Sequence, residues 1–379
     1  MKVLHVTPSI ARAYGGPTYS LAGFARAAIG EGAEVAVAAP APTAGDKWLA
    51  GMLPEASVYT FRTYGRGAFL ASTDLQGWLR RNGACFDVVH VHGLLNPVSS
   101  FAARICVRNG WPVVIRPFGT LSRYTYEHRR GTLKQLYRWL LDRPNLERVS
   151  AVHFTTAVER TESEWQNIEW GTRACVIPPP WLDSSGNGGQ RPAAPDTQCV
   201  LFLSRLHPVK RVELLLDAWP AVRKRQPDAR LVIAGDGDSS YLATLRERAE
   251  SLGDSVTFVG FVEGETKRAL LQGARIFVLP SLHENFGIAV LEAIAGGLPV
   301  VISPEVQLSS FVKEHSLGVV TEMTSAALAS SIVAALEDRV MRERCRKQGP
   351  VLVSRHFSPH TIGAQLLDMY RYVASHPPA

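Results

Sequence analysis

Short runs of Val, Ile, Leu and Ala recur along this chain, and most are followed by a turn and a longer stretch with helical spacing of apolar residues. Runs without polar alternation are typical of strands buried on both faces, and strands that alternate with helices favour a parallel sheet. The runs are KVLHVTPS, EVAVAAP, DVVHVHG, PVVIRPFG, AVHFTT and ACVIPPP in the first half, and CVLFLSRL, RLVIAGDG, SVTFVGFV, RIFVLPS and PVVISP in the second. The sequence therefore predicts an α/β fold with two doubly wound, Rossmann-like domains.

The repeating pattern is interrupted at residues 184–196, where SSGNGGQRPAAPD is rich in Gly and Pro and has the composition of a linker. The length of 379 residues also exceeds what one hydrophobic core usually supports. We therefore expect an N-terminal domain at 1–183 and a C-terminal domain at 197–355. The tail contains two helical patterns separated by SRHFSP, and we expect the last helix, within 356–379, to cross back to the N-terminal domain.

The excess positive charge lies in the first half of the chain. Residues 1–195 contain 21 Lys and Arg against 14 Asp and Glu, whereas residues 196–379 contain 20 of each. Part of the excess lies in a segment whose leucines have helical spacing, and its basic residues are Arg129, Arg130, Lys134, Arg138 and Arg143. Two interpretations stay open: a solvated basic face over an ordinary core stripe, or an amphipathic helix that contacts an anionic membrane or acceptor. No nucleic-acid recognition motif is present, so we expect no nucleic-acid partner.

The five cysteines are scattered and form no metal-ligand pattern, which favours a reducing compartment and argues against structural zinc. The first residues carry too short an apolar run for a signal peptide, and no stretch reaches the roughly 18 apolar residues of a membrane span. We therefore expect a cytoplasmic protein with no resident metal or cofactor, with peripheral contact at the inner face of the membrane if the basic segment binds lipid.

The stretch 280–299, PSLHENFGIAVLEAIAGGLP, reads as a strand, a glycine-containing turn and an apolar helix, with Glu284 and Glu292 eight residues apart. Eight residues are a little over two helical turns, so the spacing predicts both carboxylates at one cleft, about 12 Å apart along the axis. Backbone N–H groups between them would face a negatively charged group at a helix N-terminus. These N–H groups belong to Asn285, Phe286 and Gly287. On spacing alone, an ordinary buried strand–helix unit is an equally good interpretation.

Other predicted strands also end in charged residues or glycines. Arg205 and Lys210 leave the strand CVLFL, and two cations five residues apart on a loop can clamp a diphosphate, although two solvated surface charges are the alternative. Gly15 and Gly16 follow the first strand, where missing Cβ atoms let backbone N–H groups approach a phosphate. Gly235 ends the strand RLVIA, a weak signal alone.

Taken together, these motifs resemble the retaining glycosyltransferases of family 4, the glycosyl transferases group 1, which have the GT-B fold of two Rossmann-like domains facing each other across a cleft. The resemblance covers nearly the whole chain in the right order, from Gly15-Gly16 through SRLHPVK and AGDG to PSLHENFGIAVLEA, which is its most specific part. RPFGTLSR and the basic segment after it are similar to bacterial members that build exopolysaccharide or O-antigen.

The resemblance implies a role for the matching residues of the C-terminal half. Arg205 and Lys210 would hold the donor diphosphate, where charge develops as the sugar leaves, so these cations would stabilise the transition state. Glu292 would accept hydrogen bonds from the ribose hydroxyls. Glu284, with the N–H groups that follow it, would hold hydroxyls of the transferred sugar.

Looser matches concern the two remaining parts of the site. The Gly15-Gly16 loop would let the acceptor domain close over the phosphates, and Gly260 and Phe261 lie where the family lines its nucleobase pocket. Many members carry a His near the donor sugar after the strand that here reads VVIRPFG. Because this chain has Arg116 in that region, Arg116 and His92 become the candidates for contact with the sugar or acceptor.

The resemblance therefore implies a retaining, metal-independent hexosyltransferase. Its donor would be a UDP-, GDP- or ADP-sugar, and its acceptor a saccharide or lipid-linked hydroxyl in glycan biosynthesis. Retaining glycosidases use two carboxyl groups about 5 Å apart, but nothing marks such a pair here, so Glu284 is not predicted to be a nucleophile. A nucleotide-sugar 2-epimerase of the same fold and a non-catalytic nucleotide-sugar sensor stay open as alternatives. An NAD-dependent oxidoreductase is disfavoured because no GxGxxG follows an early strand.

Overall fold

The computed structural model describes residues 1–11, 14–41, 48–65, 70–122, 135–182 and 198–378. The chain divides into two compact units, the first formed by Met1–Leu182 with Phe357–Ala379 and the second by Asp183–His356. The predicted linker, 184–196, lies outside the described residues. So do Arg129, Arg130 and Lys134 of the predicted basic segment.

Seven strands form one parallel sheet in the described part of the first unit, in the order β3-β2-β1-β4-β5-β6-β7. They are β1 (Lys2–Val6), β2 (Glu34–Pro40), β3 (Ser57–Phe61), β4 (Val88–His92), β5 (Val113–Arg116), β6 (Ala151–Phe154) and β7 (Ala174–Val176). The strand order changes direction at β1. The carboxyl ends of β1 and β4 flank this switch point, where open α/β sheets bind ligands.

Helices cover both faces of this sheet, which is why its strands lack polar alternation. They are α1 (Gly16–Gly30), α2 (Trp48–Met52), α3 (Thr73–Asn82), α4 (Pro97–Arg108), α5 (Arg143–Leu146), which follows a π-helical turn at Arg138–Asp142, and α6 (Ala157–Glu162). Val3 of β1 belongs to the core cluster that includes α1, whereas its neighbour Leu4 belongs to the cluster that includes α4. Successive strand residues point to opposite faces, so both kinds of position must be apolar.

The C-terminal helix, Pro359–Ser375, belongs to the first unit and packs against α1. It begins where Ser358 accepts a hydrogen bond from the backbone N–H of Thr361, which satisfies one of the donors that a helix start leaves open. A Cβ at Gly363 would lie 2.3 Å from the Ala27 carbonyl oxygen. Only glycine therefore permits the two helix backbones to approach this closely.

The second unit contains, within its described residues, a six-stranded parallel sheet in the order β10-β9-β8-β11-β12-β13. Its strands are β8 (Cys199–Leu203), β9 (Arg230–Ala234), β10 (Val256–Gly260), β11 (Ile276–Leu279), β12 (Val300–Ile302) and β13 (Gly318–Val320). Its helices are α7 (Val212–Arg225), α8 (Ser239–Ala249), α9 (Gly264–Gly273), α10 (Ile288–Ala295), α11 (Ser309–Glu314), α12 (Ser325–Glu337) and α13 (Arg339–Phe357); the C-terminal helix of the first unit is then α14. Two parallel sheets flanked by helices confirm the predicted Rossmann-like architecture.

Several boundaries differ from the sequence prediction. The strands β3 and β13 were not predicted, and both lie at a sheet edge, where the side chains are only partly buried and the apolar signal is weak. The prediction of one helix for the first tail pattern, residues 325–349, was wrong. The pattern forms α12 and α13, which are separated at Asp338, and α13 continues through most of the expected separator to Phe357. None of the helices in the described ranges has the length and hydropathy needed to cross a bilayer.

Candidate active site

Four loops of the second unit leave the carboxyl edge of its sheet and carry the residues that the sequence singled out. Gly260 ends β10 and leads to Phe261, Gly235 follows β9, Arg205 follows β8, and Glu284 follows β11. Their strands are consecutive in the sheet, in the order β10, β9, β8 and β11. Because parallel strands end at a common edge, the fold gathers residues that are up to 79 positions apart in the sequence.

Gly235 is required by the backbone that surrounds it. Its φ is +145°, and a Cβ at this position would lie 1.8 Å from the carbonyl oxygen of Ser204. Its N–H donates a hydrogen bond of 2.7 Å to the carbonyl of Gly260. The loops after β8, β9 and β10 are therefore in direct backbone contact, and any side chain at residue 235 would push them apart.

The two predicted diphosphate-binding cations lie on the loop after β8. Leu206 donates its N–H to the Asp236 carbonyl at 2.8 Å, which ties this loop to the one after β9. Arg205 is exposed, and its guanidinium has no partner among the described residues. Lys210 ends a short 3₁₀ turn, Pro208–Lys210, and is almost fully buried. The cations therefore differ in setting, with one free to move in solvent and the other held by packing.

Lys210 forms an ion pair with Glu284 through its Nζ and the carboxylate Oε2. The backbone brings the two residues together, because the N–H of Leu282 donates to the Val209 carbonyl at 2.8 Å. Glu284 is also held by its backbone, which exchanges hydrogen bonds of 3.2 Å with the 305–307 segment. This ion pair places the predicted diphosphate-binding cation directly beside the predicted sugar-binding acid.

The sequence prediction that both glutamates are arranged by one helix was wrong. The helix α10 begins at Ile288, after Gly287, which has φ 89° and caps the helix by accepting hydrogen bonds from the N–H groups of Val290 and Leu291. Glu284 thus precedes the helix. Glu292 alone lies on it, and the axial separation worked out from a helical rise does not apply.

Asn285 and Phe286 lie in the connection between Glu284 and the capping glycine, and the Phe286 side chain is buried. Glu292 is paired with Lys267 of α9, with 2.7 Å between Lys267 Nζ and Glu292 Oε1. Lys267 was not among the residues predicted from the sequence. Nothing in the local sequence signals this contact, because the partners are 25 residues apart on different helices.

In the first unit, Gly15 and Gly16 lie at the start of α1, beyond the carboxyl end of β1. Gly15 is the residue before the helix and has φ 75°, a conformation that a side chain would strain. A Cβ at Gly16 would meet no atom within 4 Å. The helix start is therefore open at Gly16, as a phosphate-binding loop requires, but packing within the unit does not itself demand glycine there.

His92 and Arg116 belong to a buried polar layer on one face of the first sheet, defined by His5, His90, His92, Arg116 and His153. The strands bring them together: His5 is opposite His90, and His92 is opposite Arg116. All five are buried, beneath Phe24 of α1 and Tyr370 of α14. In this structure neither His92 nor Arg116 presents surface to a ligand, and their contact with a sugar or acceptor stays a prediction.

The hydrogen bonds in this layer define neutral tautomers. The Ile177 carbonyl can only accept, so His153 Nε2, 2.7 Å away, carries the proton, and its Nδ1 accepts from His90 Nε2 at 3.3 Å. His90 Nδ1 then accepts from the Tyr370 hydroxyl at 2.9 Å. Burial lowers the pKa of His153 to about 3, and the positive charge of Arg116 adds to this effect. The row of hydrogen-bonded groups from Tyr370 of α14 to Ile177, the residue after β7, is therefore uncharged, although Arg116 lies beside it.

Arg116 lies between two aromatic rings, with its Cζ 4.4 Å from the Phe24 centroid and 4.1 Å from that of Phe118. Its Nη2 donates to the Thr155 hydroxyl at 3.3 Å, while Nε and Nη1 have no hydrogen-bond partner among the described residues. Burial lowers the pKa of Arg116 to about 9, and the nearby Glu159 carboxylate opposes this shift. The guanidinium thus stays charged at neutral pH.

His5, His90 and His92 lie close enough to offer one nitrogen each to a metal ion. His90 already uses both ring nitrogens, however, and His5 Nδ1 is bonded to His92 Nε2 at 2.8 Å. A divalent ion would break these bonds and place its charge beside Arg116. The arrangement fits a hydrogen-bonded core better than a metal centre.

Comparison with known proteins identifies the family. Residues 15–180 match the glycosyl transferase 4-like domain, and residues 189–351 match the glycosyl transferases group 1. Phosphatidyl-myo-inositol mannosyltransferase of Mycobacterium leprae is 31% identical over 296 residues, covering 76% of this chain and 74% of that protein. The chain belongs to glycosyltransferase family 4. Alpha-D-kanosaminyltransferase of Streptomyces kanamyceticus is 28% identical over 179 residues, covering 47% of this chain and 46% of its own length.

Solved glycosyltransferase structures share the fold of this family 4 member. Anabaena HepE, solved in complex with UDP and glucose, superposes with a TM-score of 0.75 at 18% identity, covering 98% of this chain and 99% of its own. Sucrose-phosphate synthase from Thermosynechococcus elongatus superposes with a TM-score of 0.77 at 18% identity, covering 99% and 100%. These likenesses confirm the GT-B fold, and the family match confirms glycosyltransferase activity.

Proposed function

We propose that this glycosyltransferase moves a hexosyl unit, with retention, from a nucleoside-diphosphate sugar to a hydroxyl of a saccharide or lipid-linked acceptor. The observation that carries the proposal is the ion pair between Lys210 and Glu284 at the carboxyl edge of the second sheet, with Arg205 on the same loop as Lys210. A leaving diphosphate needs cations and a transferred sugar needs hydrogen-bond acceptors, and this edge supplies both. Two of the similar proteins support the donor class, since HepE was solved with UDP-glucose and the mycobacterial relative is a mannosyltransferase.

The residues would divide the work as follows. Arg205, which is exposed and has no partner among the residues that the structure describes, would fold onto the diphosphate with two parallel hydrogen bonds. The Lys210 ammonium has three donors, so it can keep Glu284 and still donate to a phosphate oxygen. Glu284 Oε1 would then accept from a sugar hydroxyl. Charge that develops on the leaving phosphate is stabilised by groups already in place, which lowers the barrier.

Neither glutamate is proposed as a nucleophile or a metal ligand. Each gives one carboxylate oxygen to a lysine, Lys210 for Glu284 and Lys267 for Glu292, so their electrostatic partners are cations of the chain itself. We propose metal-independent transfer on one face of the sugar, in which the leaving phosphate helps to deprotonate the acceptor hydroxyl.

The test begins with a thermal-shift screen of UDP, GDP and ADP and their sugars, because a ligand of the folded state raises its apparent stability. Transfer is then measured with an acceptor panel and the best donor, and the anomeric configuration of the product is read by NMR. We expect Lys210→Ala to lower kcat by about 10² to 10³, the loss typical of one pre-placed charge or donor. Lys224→Ala, at an exposed lysine on α7, is the matched control. Unchanged turnover in Lys210→Ala, or a protein that binds donors without transferring sugar, would reject the proposal.

We also propose that the protein works in the cytoplasm, at the inner face of an anionic membrane. Leu136, Trp139 and Leu140 have helical spacing, and they are 53%, 62% and 48% exposed. Trp is favoured at the boundary between lipid and water, and apolar residues beside a basic sequence are typical of interfacial segments. The positive charge of residues 1–195 supports an anionic surface as the partner, and the M. leprae relative is named for a phosphatidyl-inositol acceptor.

Sedimentation with vesicles tests the membrane proposal. The protein should bind vesicles of phosphatidylglycerol and phosphatidylcholine but not of phosphatidylcholine alone, and the double variant Trp139→Ser, Leu140→Ser should weaken this binding. Replacing Arg129, Arg130 and Lys134 by Gln should weaken it as well, without changing donor affinity. Val340→Ser, at a residue of the second unit that is 75% exposed, is the control. If the unmodified protein does not bind anionic vesicles, the membrane proposal is rejected while the transferase proposal is unaffected.

A further inference from the structure

The ion pair between Lys267 and Glu292 joins two helices that follow different strands of the second sheet. Lys267 lies in α9, after β10, and Glu292 lies in α10, after β11. Their side chains are only 25% and 22% exposed. Ion pairs within one exposed helix, such as Lys347 with Glu343, are largely solvated and contribute little to stability. The Lys267–Glu292 pair is instead held in place by the packing of two elements.

The pair lies toward the edge of the sheet where the donor loops emerge. Lys267 is in the first turn of α9, where its N–H donates to the Glu263 carbonyl at 3.3 Å, shortly after Gly260 and Phe261. Glu292 is five residues beyond the capping Gly287. Both helices therefore start at the carboxyl edge of the sheet and direct this pair toward the loops that we assign to the nucleotide.

Only one of the two Glu292 carboxylate oxygens accepts a hydrogen bond in the part of the chain that the structure describes. Lys267 donates to Oε1, while Oε2 of Glu292 accepts no hydrogen bond from the described residues. A carboxylate anchored at one oxygen has its χ angles restricted, so the other oxygen points in a defined direction. A hydroxyl that binds to Oε2 would then meet an acceptor already in position, and binding would cost less conformational entropy.

We propose that Lys267 is a positioning residue for the donor ribose, which it serves by fixing Glu292. This inference rests on the proposed function, which assigns Glu292 to the ribose hydroxyls, and it adds a residue that the sequence motif does not contain. Lys267 acts through Glu292 and does not itself contact the reacting atoms. The pair also compensates the charge of Glu292, which would otherwise lie partly buried near the incoming diphosphate.

The test compares ribose and dideoxyribose ligands. The probes are the nucleoside diphosphate with the largest thermal shift in the screen and its 2′,3′-dideoxy analogue, with affinities measured by isothermal titration calorimetry. The unmodified protein should prefer the ribose form by about tenfold or more, the factor expected for a hydrogen bond to a charged group. Lys267→Met, which keeps the aliphatic stem, should lose most of this preference, whereas Lys267→Arg should keep it.

Two further variants make the result specific. Glu292→Gln should lose the same preference, and the double variant should be no worse than either single one, because the two residues act as a unit. Lys313→Met, at an exposed lysine of α11, is the control. Circular dichroism and thermal melting confirm that each variant is folded, and Lys267→Arg provides the reading if Lys267→Met does not fold.

The outcomes separate the inference from its foundation. If Lys267→Met weakens both ligands by the same factor, Lys267 contacts the phosphates or supports the fold generally, and the positioning role is wrong. An unchanged ribose preference in Lys267→Met also overturns the positioning role. If only Lys267→Arg folds, loss of the ribose preference in Lys267→Arg overturns it. In these cases the unmodified protein still binds the donor, so the proposed function is unaffected. If the unmodified protein binds none of the nucleoside diphosphates, both the proposed function and this inference fail.

Discussion

The buried histidine layer of the first unit should make that unit sensitive to acid. His5, His90, His92 and His153 are neutral in the folded protein because burial lowers their pKa values, with Arg116 contributing to each. The pKa values of His5 and His153 fall to about 3. In the unfolded chain the same imidazoles titrate near their ordinary value of 6.5. Between these two values the unfolded state binds more protons, so stability is present above pH 6.5 and is lost as the pH falls.

The size of the effect follows from this difference. One such histidine lowers the free energy of unfolding by about 2 kcal/mol between pH 7 and pH 5, so His5 and His153 together lower it by about 4 kcal/mol. His90 and His92 act in the same direction. Burial raises the pKa of Asp142 to about 6, and this opposite shift returns about 1 kcal/mol over the same range. Burial also raises the pKa of Glu159. We therefore expect a net loss of roughly several kcal/mol, a large part of a typical domain stability.

Hydrogen–deuterium exchange measured between pH 5 and pH 7.5, with intrinsic rates corrected, resolves the two units by peptide. Protection in β1, β4 and β6 should fall with pH more steeply than protection in the second unit, because all four of these histidines lie in the first. His153→Gln should reduce the slope by about 1 kcal/mol per pH unit, averaged between pH 5 and pH 7, whatever its effect on absolute stability. His376→Gln, at an exposed histidine of the same unit, should leave the slope unchanged. Equal pH slopes in both units, or an unchanged slope in His153→Gln, would refute the reasoning.

Two further predictions concern packing. Gly235→Ala should weaken donor binding measured by isothermal titration calorimetry, because its Cβ would overlap the Ser204 carbonyl and displace the loop of Arg205. Gly273→Ala is the control: a Cβ there meets no atom within 4 Å, so this variant should bind the donor normally. Tyr370→Phe should lower the free energy of unfolding by about 1–3 kcal/mol in urea titration followed by hydrogen exchange, because His90 Nδ1 loses its buried donor. Tyr372→Phe is the control: its hydroxyl bonds Thr172 at an exposed site, so it should lower the free energy of unfolding by less. Equal losses in the two variants would contradict the assigned Tyr370–His90 hydrogen bond.

The strands of both sheets were predictable where they are buried on two faces, because uninterrupted runs of Val and Ile are typical of such strands. The central strands β1, β4, β8 and β11 belong to this class. The edge strand β3, with the sequence SVYTF, has an exposed or partly exposed side chain at every position. Its pattern does not separate a strand from a loop, and the same holds for the three residues of β13. Both missed strands are weakly buried edge strands, although the edge strands β7 and β10, which are also only partly buried, were predicted from their apolar runs.

The candidate site was predictable in residue type but not in its contacts. The family motif identified Glu284 and Glu292, yet the lysines that hold them depend on tertiary packing. One partner, Lys210, is 74 residues before its glutamate, and the other, Lys267, is 25 residues before. His5 and His153 were missed for a related reason. A single His in an otherwise apolar strand carries no local signal, and only the register of the sheet brings them beside His92 and Arg116.

The two ion pairs change how the charges of the site are understood. Taken singly, Glu284 and Glu292 would repel a nucleoside diphosphate, but each is compensated by a lysine before any ligand arrives, so the four groups together carry no net charge. Arg205 then remains on the same edge as an exposed cation that has no ion-pair partner within the described part of the chain. In the proposed function, a diphosphate would meet this cation, and the second oxygen of each carboxylate, which accepts no hydrogen bond from the described residues, would accept a hydroxyl of the sugar or of the ribose. In the proposed function, this balance would let one site combine acids for sugar recognition with affinity for an anionic donor.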